Sequence, residues 1–487
     1  MHTVVQNLEP PSLWRHFADL NAVPRPSKKE TRVIQFMVSF GESLGLRTQV
    51  DDVGNVIIRK PASPGMEKRM KVALQSHLDM VHQKNAGTDF DFEQEGIRMY
   101  VDQDWVKAEG TTLGADNGIG VAAIMALLAS TDIAHPPLEA LFTIDEETGM
   151  TGAMGLKGGL LEADILLNLD TEDDEELTIG CAGGIDITAT GGYEQAALKG
   201  DWQAFRLNLS GLTGGHSGMD IHRGRGNANK LMNRLLLASE AAFGLRIAAV
   251  EGGSLRNAIP RESVAVVAVP AGQAAAFLAH VAAFAETLQS EHRSTDPDLQ
   301  LKAETTALPG EVFESAFQRQ FLRAVYACPN GIYRMSPDIA GLVQSSNNLA
   351  RVEARDGSYE VLCLARSAVD SEKMDLSAAI RSAFELGGAA VSFGGSYPGW
   401  TPRPDAEIVP LMTALYRSSF DQEPKVGGCH AGLECGILGA NYPEMEMISF
   451  GPNIRGAHSP DEQVPISSVQ KFWGFLLETL KQIPEAG

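Results

Sequence analysis

The chain has 487 residues, 44% hydrophobic and 21% charged, the balance of a globular protein too long for one ordinary core, so two or three domains are expected. Its 62 Asp and Glu outweigh 40 Lys and Arg, a formal net charge of −22 that argues against nucleic acid or an anionic membrane as partner, since both require a basic footprint. Cys181, Cys328, Cys363, Cys429 and Cys435 are odd in number and contain no C-x-x-C pair, so neither a disulfide framework nor a thiolate metal site is indicated. No apolar run approaches the roughly 18 residues that cross a bilayer. The opening MHTVVQNLEPPSLWRHF lacks the basic-then-apolar order of a secretory signal, and the cytoplasm is the expected location.

In chain order, residues 30–45 carry apolar positions at helical spacing, and short strands are expected at 55–59 and 70–75. Residues 117–130 (NGIGVAAIMALLAS) read as a buried helix, with strands at 138–144 and 164–169. Such alternation implies a mostly parallel sheet covered by helices. Near Gly183 the character changes. Strands at 205–211, 263–270, 359–367 and 389–394 alternate with helices at 226–243, 272–290, 312–327 and 372–386. Helices at 408–420 and 466–482, with a strand at 445–450, close the chain. The expectation is an α/β protein with a split catalytic domain, residues 1–184 and 397–487, and an inserted α+β domain over 185–396.

The polar clusters all follow apolar strands: HLD after KVALQS, DEE after LFTI, DTED after ILLNL, and GAHSPDE after MISFGPN. Open α/β sheets place their sites outside the carboxyl ends of strands, so these four clusters point into one crevice. His77 and Asp79 lie two apart, and an Asp so placed can accept the imidazole N–H opposite a metal, fixing the tautomer. Asp116, in TTLGADNGIG, suits either a helix N-cap or a carboxylate bridging two cations. Of the adjacent Glu146 and Glu147, one can ligate a metal while its neighbour faces a water as general base. Asp170 ends its strand directly, whereas Glu172 to Glu176 read as a solvated acidic loop. His458 lies in a Gly- and Pro-flanked loop. Carboxylates with two imidazoles suit Zn, Mn or Co. Five ligands exceed what one tetrahedral zinc takes, so two ions roughly 3.5–4 Å apart and sharing a carboxylate fit better.

Together SHLDMV, TTLGADNGIG, TIDEETGMTGA, NLDTED, GLTGGHSGMDIHRGRGNA, SLRNAIPRE, HAGLECG and GPNIRGAHSPDE resemble the aminoacyl-histidine (Xaa-His) dipeptidases, within the co-catalytic metallopeptidases that also include acylases and carboxypeptidases. The resemblance runs over essentially the whole chain. It implies hydrolysis of Xaa-His dipeptides, β-Ala-His included, by two divalent ions, Zn2+ before Mn2+ or Co2+. His77 and Asp170 would hold one ion, Glu147 and His458 the other, with Asp116 bridging. Asp79 would orient His77, and Glu146 would be the base. The inserted domain would be lid and homodimerisation module. His216 would polarise the substrate carbonyl, while Asn257, Arg366 and Gly432 would bind its carboxylate, for which the Arg fork is suited. An N-acyl-amino-acid deacylase or a broader di/tripeptidase on the same scaffold is the alternative.

Overall fold

The computed structural model describes residues 2–486. The chain divides into two compact units: residues up to Gly180, Trp400–Gly428 and Leu433 onward form the first, Cys181–Gly399 with Cys429–Gly432 the second. The second unit thus takes four residues, Gly432 among them, from the C-terminal stretch that the sequence assigns to the catalytic domain.

The first unit is built on an eight-stranded sheet in the order Arg47–Val50, Val56–Lys60, Leu138–Thr143, Val72–His77, Ile165–Asn168, Glu446–Ser449, Glu176–Cys181, Lys425–Cys429. The four strands from Leu138–Thr143 to Glu446–Ser449 run parallel. The expected mostly parallel sheet is therefore mixed: Arg47–Val50, Val56–Lys60 and Leu138–Thr143 pair antiparallel, as does Glu176–Cys181 with Glu446–Ser449. At the first edge the reason is local. The Asp51 carboxylate accepts the backbone N–H of Val53, Gly54 and Asn55, making a turn too short for the crossover a parallel pair requires.

Val72–His77, Leu138–Thr143 and Ile165–Asn168 are buried at every position, as strands covered on both faces must be. The helix Ala115–Ala129 packs on Val72–His77 and against the helix Pro11–Asn21. It approaches closely because of Gly120. A Cβ there would meet Ser76 Oγ at 2.5 Å, Asn117 Oδ1 at 2.7 Å and the Leu169 carbonyl at 2.8 Å.

The second unit centres on a nine-stranded sheet whose recorded pairings are all antiparallel. Ser263–Pro270 alternates buried and half-buried residues over its first five positions, the pattern of a sheet with one face covered, and is buried on through Val269. Its core gathers Phe205, Leu207, Val267, Phe277, Leu322, Leu349, Val361 and Ile380 from strands and helices alike. The helix Ala228–Phe243 starts where the Asn227 side chain accepts the N–H of Asn229 and Lys230, a cap worth about 1 kcal/mol.

Substituting Gly120→Ala should push the helix off the strand ends and lower stability by about 1–3 kcal/mol. A urea midpoint equal to that of the unaltered protein would show that the contact yields freely.

Candidate metal centre

In the first unit Val72–His77 delivers His77 and the two residues beyond it bring Asp79. The His77 Nδ1 lies 3.1 Å from the Asp79 carbonyl and 3.4 Å from Asp79 Oδ1, so its proton sits on Nδ1 and Nε2 is free to bind a cation. That Nε2 stands 3.1 Å from Asp116 Oδ1 and 3.5 Å from Asp170 Oδ1. The other Asp116 oxygen, Oδ2, is 3.2 Å from His458 Nε2, which is 3.1 Å from Glu147 Oε2. One carboxylate therefore faces two imidazoles, one per oxygen. Two clusters result, His77–Asp116–Asp170 and Asp116–Glu147–His458, each with ligand atoms within 4.8 Å of one another.

Asp79 makes further contacts beyond the His77 ring. Its Oδ1 accepts the Glu146 N–H at 3.0 Å, and its Oδ2 accepts the Ser27 hydroxyl at 2.8 Å and the Glu147 N–H at 3.3 Å. It fixes the turn that presents both glutamates. Asp145 holds the same turn with φ +51°, its carboxylate taking the hydroxyls of Thr148 and Thr151.

Asp116 is not an N-cap. The cap is Gly114 at φ +70°, and Asp116 and Asn117, joined by a cis peptide bond, leave helical geometry. The N–H groups of Leu113, Gly114, Ala115 and Asp116 are instead accepted by the Glu462 carboxylate at 2.7, 2.9, 2.7 and 3.2 Å. From the other side buried Arg25 donates to the Gly114 carbonyl at 2.6 Å and to the carbonyls of Leu78 and Asp79 at 3.1 and 3.0 Å. Neither residue announces this role in the sequence. The only signal for Glu462 was its place in GAHSPDE, and Arg25 carried none.

The electrostatics are those of an anionic nest. Burial alone would lower the His77 pKa, yet Asp170, Asp116 and Asp79 raise it well above 6.5. Hydrogen bonds to Asp116 and Glu147 lift His458 to about 11. Burial would raise Asp116, but bonds from His458 and His77 hold it far below the usual carboxylate range. Burial, with Asp116 and Glu147 adding to it, lifts Asp170 to about 6. Glu146 rises well above 4.5, chiefly by burial. Glu172, expected in a solvated loop, is half-buried; burial and then the charges of Asp116 and Asp170 raise it to about 8.

Glu147 Oε1 and Asp170 Oδ1 are buried without a hydrogen-bond partner among the described residues. Buried carboxylate oxygens without a hydrogen bond are costly even where, as at Asp170 Oδ1, an imidazole lies 3.5 Å away, and a cation satisfies them. Ligands bound tetrahedrally at roughly 2.0–2.1 Å lie about 3.3 Å apart. The 3.1–3.5 Å separations found here match that edge, so the residues present fit divalent cations.

His216, Asn257, Arg366 and Gly432 belong to the second unit. The His216 Nδ1 accepts the N–H of Gly218 and Met219 at 3.2 and 3.1 Å, so its proton is on Nε2; burial, then Arg366, lowers its pKa to about 4. Arg366, 5% exposed, donates to the Tyr397 hydroxyl at 3.0 Å and to the Ser217 hydroxyl at 3.4 Å, both neutral groups. Asn257 is exposed, and its carbonyl accepts the Ser217 N–H at 2.8 Å. Gly432 is half-buried beside His430, whose Nε2 lies 2.7 Å from the Ser346 hydroxyl. Burial, then Arg366, lowers His430 to about 3.

An α/β unit holding histidines and carboxylates at parallel strand ends, interrupted by an antiparallel unit, has the organisation of a metal-dependent hydrolase. The model of Peptidase family M20/M25/M40 matches residues 73–482: the chain belongs to that family and is a peptide-bond hydrolase. It is 43% identical over 480 residues to the cytosol non-specific dipeptidase of Escherichia coli (strain K12), covering 99% of each chain. It is similar to the crystal structure of aminoacylhistidine dipeptidase from Vibrio alginolyticus, with 45% identity, a TM-score of 0.94 and 99% of each chain covered. Aminopeptidase PepT from Bacillus cereus ATCC 10987, at 14% identity and a TM-score of 0.57 over 98% of this chain and 99% of its own, shares the fold.

Two outcomes follow. Glu462→Ala, which frees four N–H groups behind Asp116, should weaken Zn2+ or Mn2+ binding about 10–100-fold in calorimetric titration, the usual effect of losing such a support; unchanged affinity would make the clamp dispensable. Neutral, buried His430 contributes stability that is present above pH 6.5 and is lost as pH falls toward 3. At pH 5 the loss is about 2 kcal/mol, and His430→Gln should remove that share of the slope of stability between pH 7 and 5. Parallel slopes for the two proteins would contradict the assignment.

Proposed function

We propose that this chain hydrolyses dipeptides using two divalent cations, Zn2+ before Mn2+ or Co2+, held around Asp116. The observation that carries this reading is the divided Asp116 carboxylate, Oδ1 toward His77 and Oδ2 toward His458. His77 and Asp170 would hold one ion, Glu147 and His458 the other, with Asp116 offered to both. When bound, the ions supply Lewis acidity and make water a nucleophile at neutral pH.

Glu146 is the general base, taking a proton from the attacking water and returning it to the departing amine. Burial raises its proton affinity and suits it to that exchange. Asp79 keeps the Glu146 backbone and the His77 ring in register. His216, neutral with its proton on Nε2, donates to the carbonyl oxygen as negative charge develops. Arg366 binds the C-terminal carboxylate with Asn257 and Gly432. A buried guanidinium whose partners are hydroxyls retains its charge for an anionic ligand.

Reading one end of the substrate in this way limits its length, in accord with relatives named as dipeptidases. Xaa-His dipeptides, β-Ala-His type included, are among the substrates of this reading. The inserted unit, spanning 185–396 by sequence, serves as lid and homodimerisation surface, and the cytoplasm is the location. Among the described residues no helix is long and apolar enough to cross a membrane.

Glu146→Gln should keep its metal yet lose turnover about 10²–10⁴-fold; full activity would remove Glu146 from the mechanism. A panel of Ala-His, β-Ala-His, Ala-Ala and N-acetyl amino acids, run with each of the three metals, tests the substrate class. Cleavage of the N-acetyl compounds alone would replace dipeptidase by deacylase.

A further inference from the structure

In the second unit Arg366 belongs to a row of residues that runs across three strands. Ser358–Ser367 and Ala390–Tyr397 flank Gly183–Gly192 on either side, and each sets one residue opposite Gly184: Arg366 from the first, Tyr397 from the second. Residues directly opposite in antiparallel strands project to the same face. Neighbouring strands lie roughly 5 Å apart, so the backbones of Arg366 and Tyr397 are about 10 Å from each other. The Tyr397 ring closes that gap, and its hydroxyl accepts from Arg366 Nη1 at 3.0 Å.

Three features converge on this placement. Ala390–Tyr397 pairs regularly until Gly394 lies opposite Asp186; the register then shifts, and Tyr397 rather than Ser396 meets Gly184. One extra residue of this kind is a bulge, which re-aims the side chain beyond it. Position 184 carries no side chain of its own. A Cβ there would meet Cε1, Cζ and Oη of Tyr397 at 2.7 Å, so the ring lies over the glycine. The Tyr397 backbone is pinned as well. Buried Lys373 donates to its carbonyl at 2.5 Å and to Asp370 Oδ1 at 2.8 Å, and that oxygen also accepts the Gly399 N–H at 3.2 Å.

The guanidinium is thereby held from two sides by neutral oxygens. Its Nε donates to the hydroxyl of Ser217, the neighbour of His216, and its Nη1 to Tyr397. Burial raises the Tyr397 pKa above its ordinary 10, so the group stays a hydroxyl and brings no charge to compete for Arg366. Of the five N–H groups of an arginine two are committed in this way, and those left are on the two terminal nitrogens.

We propose that Tyr397 is a positioning residue for substrate selectivity: by holding Nη1 it sets the remaining fork of Arg366 for the C-terminal carboxylate, so that peptides with a free carboxylate are preferred over their amides. The inference rests on Arg366 binding that carboxylate. Phenylalanine at position 397 keeps the ring over Gly184 and removes only the acceptor.

The test measures kcat and KM for Ala-His, and the inhibition constant of Ala-His amide, on the metal-loaded enzyme and its Tyr397→Phe and Arg366→Met variants. Tyr397→Phe should raise KM for Ala-His about 3–10-fold, the effect of one hydrogen bond, with kcat and the inhibition constant of the amide within about twofold. Arg366→Met should raise the same KM at least as far and bring it toward the value for the amide. A normal KM in Tyr397→Phe beside a raised one in Arg366→Met would remove this inference alone. Weakening of Ala-His and its amide by the same factor in Tyr397→Phe would also overturn it, since that is a scaffold role. An unchanged KM in Arg366→Met would remove the carboxylate contact and this inference together. If Arg366→Met does not fold, Arg366→Lys, which keeps the charge and loses the fork, replaces it with the same outcomes.

Discussion

Everything in the first unit's site is arranged around a single carboxylate that must face two directions at once. Asp116 can offer one oxygen to each imidazole only because its backbone is not free to follow its side chain. Glu462 gathers four successive N–H groups just before the helix, and Arg25 ties the same loop to the carbonyls of Leu78 and Asp79. The Arg25 side chain therefore couples the loop of Asp116 to the strand end of His77. The Asp79 carboxylate then couples that strand end to the turn of Glu146 and Glu147. Three segments distant in sequence are thereby tied to one another.

This organisation carries a heavy electrostatic load. Buried carboxylates repel one another and pay for desolvation individually. Here their combined field drives both histidines to hold protons far above their ordinary range. The same field favours divalent cations, which supply more positive charge than protons and satisfy the oxygens of Glu147 and Asp170 that lack hydrogen bonds. Buried Glu434 shows the opposite response: burial raises its pKa to about 8, although the Thr143 hydroxyl and the Gln75 amide both donate to its Oε2.

Much of this was legible in the sequence, because strand polarity is written in it. Apolar runs ending in HLD, DEE and NLD place polar side chains at the same edge of a parallel sheet, and the helices at 117–130, 226–243 and 466–482 lie close to where periodicity put them. The supporting residues were not legible. Arg25, Glu462 and Glu434 act through backbone groups or buried amides brought from far along the chain, and a lone charged residue gives no local sign of such a role. The strand Val343–Arg355 is not legible either: its Gln344, Ser345, Ser346, Asn347 and Asn348 look like a loop, yet all are buried. Hydrogen bonds such as Asn348 to the carbonyls of Arg256 and Ala258 make that burial tolerable.

The position of the strand Glu446–Ser449 has a consequence for how the protein is made. It lies inside the sheet, between Ile165–Asn168 and Glu176–Cys181, rather than at an edge. During synthesis the first 180 residues leave the ribosome with a gap where that strand belongs, and the N–H and C=O groups of Ile165–Asn168 on that side stay unpaired until more than 250 further residues have followed. The second unit, nearly continuous in sequence, can close first. The nascent first unit is therefore an incomplete sheet with a sticky internal edge, and the last tenth of the chain both completes that sheet and delivers His458.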